Sequence, residues 1–355
     1  MTRASVTRLE RFASCSYAHF LAYGLRLSER EYYQFESIDL GNIAHQAMER
    51  YARRIEKDDL DWVLIPEEVR SMLIEESVEE SIVDYGNTVL YSTARNEYII
   101  TRIKQLLKRS VWALTKQLEN SDFRPSKFEM KFGSGKIDRV DLCEDDGTVY
   151  VKVIDYKTGS RKFDITALYY GLQMQLPVYM NAAMDIMQKQ YPQEEVVPAG
   201  IFYYRIQDPF VEKVKNESML EESMLEKLKL DGIVNADKVV LEHLERNLEG
   251  SSKLLPISRN KSGSLSAASK ALDPATFLSL LDYIKVKEAE LKEEIASGRT
   301  EAAPYVLGNH SGCEYCAYRD ICRFDTEMEG FEYRNLEKHS LEVVMSLIQG
   351  KLEEE

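Results

Sequence analysis

Two aspartates and a lysine have the residue types and the spacing of a metal-dependent hydrolytic site. Asp138 lies in the run GKIDRVD (135–141), and Asp155 and Lys157 lie in VIDYKTG (153–159). Residues two apart on a β-strand project from the same face, so we expect Asp155 and Lys157 to share a face. Carboxylates that converge from adjacent strands offer the oxygen ligands that Mg²⁺ or Mn²⁺ prefers. A lysine beside them can orient the attacking water and stabilise the charge of the transition state.

The surroundings of these residues favour a site over a solvent-facing pair. An Asp-x-Lys tripeptide is common on amphipathic strands, and alone it indicates little. Here Asp155 ends the apolar run 151–154, which only Lys152 interrupts, and Asp138 precedes that run across a turn. This is the spacing of two paired strands, so the pattern predicts that the two carboxylates meet.

Four further polar residues are candidates for the same site. His45 falls in the first turns of a predicted helix over 41–55, where it is either a metal ligand or an ordinary hydrogen-bonded histidine. Glu129 lies on the first predicted strand, and strand alternation alone allows it to face either the site or solvent. Gln173 and Tyr179 lie on the helix predicted after the lysine strand, and both can hold a phosphate or a flanking nucleotide.

The cysteines predict a second metal centre. Cys313, Cys316 and Cys322 form a C-x2-C-x5-C cluster, one thiolate short of a four-ligand site, and Cys15 is the natural fourth ligand. A [4Fe–4S] cluster held by these four would join the two ends of the chain as a staple, and zinc is the chemical competitor. Cys143 is interpreted as a packing residue.

Hydrophobic periodicity places these motifs on helices and strands. Thr7 and Glu10 have the spacing of a capping box at the start of a first helix that leads to Cys15. Apolar residues at helical spacing then predict helices over 41–55, 66–83 and 94–118. Three short β-rich runs separated by Gly-Ser-Gly and Glu-Asp-Asp-Gly turns predict a meander over 127–132, 135–142 and 149–156. A helix over 166–188, with a kink at Pro177, and a fourth strand over 198–206 follow.

Composition excludes some classes of protein and leaves others open. The chain has 355 residues, 44% hydrophobic and 30% charged, as in ordinary globular proteins. No apolar run approaches the ~20 residues of a membrane span, and 1–12 has no apolar stretch of signal-peptide length, so we expect a cytoplasmic protein that does not enter membranes. The net charge of −14 disfavours a protein that coats nucleic acid, but it permits an enzyme with a local DNA groove.

The motifs in combination resemble the RecB-like branch of the PD-(D/E)XK nucleases. The segments that carry the resemblance are LGNIAHQAME (40–49), GKIDRVD, VIDYKTG and QMQLPVY (173–179). The resemblance implies a restriction-endonuclease-like α/β core with a mixed sheet flanked by helices. In that branch a histidine, two aspartates and a lysine form the metal-binding catalytic set, which here corresponds to His45, Asp138, Asp155 and Lys157. Gln173 and Tyr179 correspond to the Q-x5-Y helix motif of that branch. Glu129 corresponds to the acidic residue on its first strand, although the flanking sequence matches less well.

The cysteine pattern adds a resemblance to the AddB family. FASCSYAHFLAYGL (12–25) together with the C-terminal cluster is similar to that family's iron–sulfur staple. The resemblance implies a heterodimer with an AddA-like helicase-nuclease, which processes DNA double-strand breaks before recombination and in which the AddB site cuts the strand ending 5′ at the break. The family's upstream helicase-like portion has no counterpart here, and no GxxxxGK[ST] motif is present, so we expect a C-terminal fragment that does not hydrolyse ATP.

This reading predicts one nuclease domain with additions. The domain spans 1–325, with its core at about 38–57 and 122–210, a helical insert at 58–120, a helical extension at 211–300 and the cysteine cluster at 313–322. Residues 326–355 form a C-terminal helical tail. Two alternatives stay open: a stand-alone RecB-like iron–sulfur exonuclease acting on single strands, which the insert and the extension disfavour, and an inactive nuclease fold that binds DNA or a partner, which the intact Asp138, Asp155 and Lys157 disfavour.

Overall fold

A mixed sheet lies between two layers of helices, with one apolar cluster on each face of the sheet. The computed structural model describes residues 5–29, 37–85, 94–133, 135–212 and 216–354. Parts of the predicted features lie outside these ranges: 1–4 and 30–36 of the nuclease domain, 86–93 of its insert, Ser134 of the Gly-Ser-Gly turn, 213–215 of the extension and 355 of the tail. None of the helices in the described ranges has both the length and the apolarity to cross a membrane.

The N-terminal helices pack on one face of the sheet. Helix α1 (Val6–Ser14) is followed by α2 (Ser16–His19) and a π-helical turn (Phe20–Gly24). Ser5 is the N-cap of α1, and its hydroxyl accepts a hydrogen bond from Arg8 N at 3.4 Å. The capping box predicted from Thr7 and Glu10 is therefore wrong, because Ser5 takes the capping role and Glu10 points towards another helix.

Three long helices cover the other face. Helices α3 (Ser37–Lys57), α4 (Glu67–Tyr85) and α5 (Ala94–Glu119) correspond to the three predicted helices. Their apolar positions recur at helical spacing and pack with the sheet into one cluster, which includes Ile43, Val78 and Ile103. Helices α4 and α5 lie in the segment 58–120, which was predicted as a helical insert.

Within the described ranges the sheet has six strands in chain order, of which the sequence predicted four. The first three, β1 (Arg124–Phe132), β2 (Gly135–Asp145) and β3 (Thr148–Lys157), form the antiparallel meander. Strand β4 (Glu195–Arg205) joins β3 in parallel. The extension adds β5 (Asp231–Asn235), antiparallel to β4, and β6 (Ala271–Leu272). These two strands of the extension, which was predicted as mostly helical, were not predicted, since short edge strands leave too few residues for a strand pattern.

The helical segment between β3 and β4 is broken in two. Helix α6 (Ile165–Tyr169) ends before a turn, and α7 (Gln175–Gln190) begins after it. Pro177 lies in the first turn of α7, where its missing N–H costs no helical hydrogen bond. The continuous kinked helix predicted over 166–188 is therefore two helices, and Gln173 lies in the turn between them.

The remaining elements lie on both faces of the sheet, with residues 240–257 in the cluster on the α3 face and residues 277–295 and 341–352 in the cluster that contains α1 and α7. They are α8 (Glu217–Lys227), α9 (Lys238–Leu244), α10 (Pro274–Ala296), α11 (Arg319–Cys322) and α12 (Leu341–Glu353), with a small sheet of β7 (Tyr305–Leu307), β8 (His310–Ser311) and β9 (Arg334–Leu336). Helix α12 lies in the segment predicted as a C-terminal tail, and Val344, Met345 and Ile348 of this helix are buried in the same apolar cluster as α7 and α10.

A buried ion triad joins β2 and β3 behind the predicted site. Asp141 is fully buried, and its two carboxylate oxygens lie 2.5 and 2.9 Å from Arg139 nitrogens. Lys152, paired with Asp141 across the strands, places Nζ 2.9 Å from Asp141 Oδ2. Burial alone would raise the pKa of Asp141, but Arg139 and Lys152 outweigh burial and lower it. The ionised form of Asp141 is therefore stabilised inside the protein by its two cationic partners.

Replacing Asp141 with asparagine is expected to destabilise the fold by about 3–5 kcal/mol, because two buried cations would lose their shared anion. Chemical denaturation measures the change. The matched control is Asp145→Asn on the same strand, where the carboxylate is 55% exposed and we expect less than about 1 kcal/mol. Equal effects of the two variants would show that the triad contributes nothing beyond a surface charge.

Candidate active site

Asp138 and Asp155 lie on adjacent antiparallel strands. Strand β2 pairs with β3 so that Arg139 is opposite Ile154, which puts Asp138 and Asp155 at the next opposed positions. Asp138 Oδ2 accepts a hydrogen bond from Tyr156 N at 2.8 Å, which fixes the carboxylate against β3. The charge of Asp138 also raises the pKa of Asp155, an effect that needs the two groups to be near each other. The strand pairing therefore brings the two carboxylates together.

Asp155 is a buried acid with an incomplete set of partners. Its side chain is 2% exposed, and Oδ2 lies 2.5 Å from Lys157 Nζ. Oδ2 accepts no hydrogen bond of normal angle from any described residue. Burial, and next the charge of Asp138, raise the pKa of Asp155 to about 7, against the opposing charge of Lys157. Binding of a further cation beside Asp155 would therefore stabilise the ionised form of this carboxylate.

His45 reaches the carboxylates from α3. Gly41, one turn earlier on the helix, has no side chain, and a Cβ there would lie 3.1 Å from Thr158 Oγ1, so glycine allows α3 to approach the end of β3. His45 Nδ1 lies 3.2 Å from Asp138 Oδ2. Burial lowers the pKa of His45, but the hydrogen bond and charge of Asp138 outweigh it, so the net shift is upwards. The imidazole is thus held at the edge of the acidic pair.

Glu129 enters the site through an unusual backbone conformation. Its φ is 47° in the middle of β1, a left-handed conformation that is uncommon for a residue other than glycine and is kept where the surroundings enforce it. One ligand atom each of His45, Glu129 and Asp138 lies within 4.8 Å of the others, and Asp155 is outside this group of three. Burial and the charge of Asp138 raise the pKa of Glu129, while Lys136 lies 3.1 Å from its Oε2.

Lys157 is held by a glutamine that the sequence analysis missed. Lys157 Nζ donates to Gln175 Oε1 at 2.7 Å, and Gln175 Nε2 donates to Tyr179 OH at 2.7 Å. Lys157 Nζ also lies 5.2 Å from the ring centre of Tyr203. Gln175 and Tyr179 are four apart on α7, one helical turn, and this spacing could have identified Gln175. The structure thus brings Tyr179 to the lysine through Gln175.

Gln173 lies apart from the lysine. Its Oε1 accepts a hydrogen bond from Asp164 N at 3.1 Å, and its Nε2 donates to Lys162 O at 3.0 Å. Both contacts fix the backbone of the loop that follows β3. The geometry therefore gives Gln173 a part in loop structure, although the sequence proposed it as a substrate contact.

The two glutamines give opposite predictions. Gln175→Ala is expected to lower the rate of DNA cleavage by about 10–100-fold with little loss of stability, because Lys157 loses the acceptor that orients it. Gln173→Ala should instead lower the thermal midpoint, since two backbone groups of the loop, Asp164 N and Lys162 O, lose their partner. Steady-state cleavage of single-stranded DNA and thermal melting of both variants measure the difference. A larger loss of rate in Gln173→Ala would contradict this division of roles.

The four cysteines of the predicted cluster line one cavity between the two ends of the chain. Cys15 is the C-cap of α1, and Cys313, Cys316 and Cys322 face the same cavity. All are free thiols. Burial raises the pKa of Cys313, and the charges of the other three raise it further, which indicates that the sulfur atoms are neighbours. Cys143 lies elsewhere, in the apolar cluster on the α3 face, where burial raises its pKa to about 11.

The fold is that of a class of nucleases. A family model described as the PD-(D/E)XK nuclease superfamily matches residues 3–323. The chain belongs to this superfamily.

Its curated relatives include proteins named as a subunit of an ATP-dependent helicase/deoxyribonuclease. That of Lachnoclostridium phytofermentans is 41% identical over 97% of this chain and 31% of its own length. Those of Alkaliphilus metalliredigens and Thermoanaerobacter pseudethanolicus are 35% and 30% identical over 99% and 98% of this chain, covering 33% and 32% of the relatives. The chain spans about a third of the length of these relatives.

Proposed function

We propose that this chain hydrolyses phosphodiester bonds of DNA with the help of a divalent metal ion. The observation that carries the proposal is the Asp138–Asp155 pair, of which Asp155 is buried, with Lys157 beside it. Membership of a nuclease superfamily supports it independently. The inactive-fold alternative has less support, because an unused Asp155, whose pKa is raised by burial and by the charge of Asp138, would be a cost without a benefit.

The residues fit Mg²⁺ or Mn²⁺. Asp138, Asp155 and His45 would hold the ion, with Glu129 close enough to His45 and Asp138 to join them. Hard divalent cations prefer carboxylate oxygens, and Asp155 Oδ2, which lies 2.5 Å from Lys157 Nζ without a hydrogen bond of normal angle, can serve as one ligand. When bound, the ion supplies Lewis acidity to the phosphoryl oxygen and activates water.

The protein's own groups then have separate tasks. Lys157 orients the attacking water and neutralises charge that develops on the phosphoryl oxygens. Gln175 and Tyr179 hold Lys157 in that place. A bound cation would favour the ionised form of Asp155, since it would offset the burial and the charge of Asp138 that raise the pKa of Asp155.

We assign the cysteine cavity to a [4Fe–4S] cluster. Four thiols at one place, from α1 and from the segment around α11, match the ligand count of such a cluster, with zinc as the competing metal. The cluster would act as the staple between the ends of the chain. It lies outside the acidic site and takes no part in hydrolysis.

We further propose that the chain acts as the nuclease region of an AddB-like subunit. The names of the relatives support an assembly with an AddA-like helicase-nuclease that resects double-strand breaks, with this site cutting the strand that ends 5′ at the break. A cytoplasmic location fits an enzyme of chromosomal DNA. A stand-alone single-strand exonuclease is the second candidate, and cleavage of single-stranded DNA tests both.

The test is cleavage of end-labelled single-stranded DNA by the purified chain. Cleavage is expected with Mg²⁺ and not with EDTA, and Asp138→Asn is expected to lower it at least about 100-fold. Asp185→Asn, on the acid of α7 that lies outside the site, is the matched control and should cut like the wild type. Cleavage that persists in EDTA, or equal cutting by the Asp138→Asn variant, would refute the proposal.

A further inference from the structure

A carboxylate from the N-terminal helix lies behind the catalytic lysine. Glu10 is on α1, and its side chain is 14% exposed. Glu10 Oε1 accepts hydrogen bonds from Met174 N at 2.7 Å and from Gln175 N at 3.2 Å. Its Oε2 lies 3.5 Å from Arg161. Glu10 thus satisfies two backbone N–H groups at the start of α7, where a negative charge is favourable.

The residue that Glu10 fixes is also the one that holds the lysine. Gln175 is anchored through its backbone by Glu10 and through its side chain by Lys157 and Tyr179. The Glu10 carboxylate also acts electrostatically on Lys157. Since α7 begins at Gln175 without a side-chain cap of its own, the position of this glutamine depends on a group from another helix.

We infer that Glu10 is a positioning residue for Lys157, acting through Gln175, and that it couples the cysteine-bearing N-terminal helix to the active site. The inference rests on the proposed nuclease function. Cys15 ends α1 five residues after Glu10, so the staple and the lysine are linked by one helix. Catalysis is sensitive to displacements of about 1 Å, so loosening α1 lowers turnover without touching the metal ligands.

The experiment compares three variants of the whole chain. Glu10→Ala removes the acceptor, Glu10→Gln keeps an acceptor oxygen but removes the charge, and Arg11→Ala alters an exposed neighbour on the same helix. We expect Glu10→Ala to lower kcat by about 10–100-fold with KM for single-stranded DNA nearly unchanged. Glu10→Gln should recover most of the loss, and Arg11→Ala should behave like the wild type.

A second readout does not depend on activity. The acylation rate of individual lysines, measured by mass spectrometry, reports how firmly each amine is held. Lys157 should be labelled several-fold faster in Glu10→Ala than in the wild type. Lys152, 4% exposed in the ion triad, should stay protected in both proteins if the fold is intact.

The outcomes separate the two proposals. Unchanged kcat and unchanged Lys157 labelling in a folded Glu10→Ala protein would overturn the positioning role. Equal loss in Glu10→Ala and Glu10→Gln, with faster Lys152 labelling in both, would also overturn it, since Glu10 would then only stabilise the fold. An inactive wild type in which Lys157 labelling still depends on Glu10 would refute the nuclease proposal and support the positioning.

Discussion

Asp155→Asn is expected to lose nearly all DNA cleavage and yet to be more stable than the wild type at pH 8 without metal. The loss of cleavage, at least about 1,000-fold, follows from removing a charged metal ligand at the reacting centre. The gain in stability follows from the cost of a buried charge, because Asp155 is 2% exposed and Asp138 repels it. An amide of the same shape avoids that cost.

The pH dependence has a definite sign. The pKa of Asp155 is about 7 in the folded chain, above the ~3.9 of a free aspartate, so the folded form binds this proton more tightly. The stability contributed by the protonated acid is fully present below about pH 4 and is lost as the pH rises through 7. The asparagine of Asp155→Asn cannot titrate, so the stability of this variant relative to the wild type should increase between pH 4 and 7 and stay constant above pH 7.

Thermal melting at pH 5 and pH 8 measures this effect in EDTA and in Mg²⁺. Mg²⁺ should raise the midpoint of the wild type and leave that of Asp155→Asn unchanged, since only the wild type retains the ligand. Asp185→Asn is the control and should follow the wild type throughout. A variant that is less stable than the wild type at pH 8, or that gains as much from Mg²⁺, would contradict the assigned site.

Cys15→Ala is expected to cause the second large effect, loss of the cluster together with partial unfolding. The free energy of metal binding in such sites is part of the folding free energy, so we expect a loss on the order of 5 kcal/mol. Since α1 ends at Cys15 and carries Glu10, cleavage should fall as well. The iron content, the visible absorption and the thermal midpoint are measured on anaerobically purified protein.

Cys143→Ala is the matched control, because this cysteine is equally buried but lies in the apolar cluster on the other face. It should keep its iron and lose about 1 kcal/mol or less. Stoichiometric zinc without iron in the wild type would refute the cluster. An unchanged midpoint in Cys15→Ala would refute the staple.

The strands and helices that carry the chemistry could be predicted because their patterns are local. Turn residues between β1, β2 and β3 mark the meander, and strand alternation places Asp155 and Lys157 on one face. The helix of His45 follows from its apolar spacing. These elements have the length and the periodicity that sequence patterns need.

The details that tertiary contacts decide could not be predicted in the same way. Glu129 enters the site through a left-handed backbone conformation, which alternation cannot foresee. A turn separates α6 from α7, so Gln173 contacts a loop and Gln175 contacts the lysine. Glu10 matched a local capping box, but its partner is α7, 164 residues away in sequence.

The most direct test of the account is a crystal structure of the chain with Mn²⁺, with the ion located by its anomalous signal. If these residues form the metal site, one ion lies within about 2.5 Å of carboxylate oxygens of both Asp138 and Asp155 and of a His45 nitrogen. An ion bound only by His45, Glu129 and Asp138, with Asp155 still paired to Lys157 alone, or no ion at these residues at saturating Mn²⁺, would contradict it.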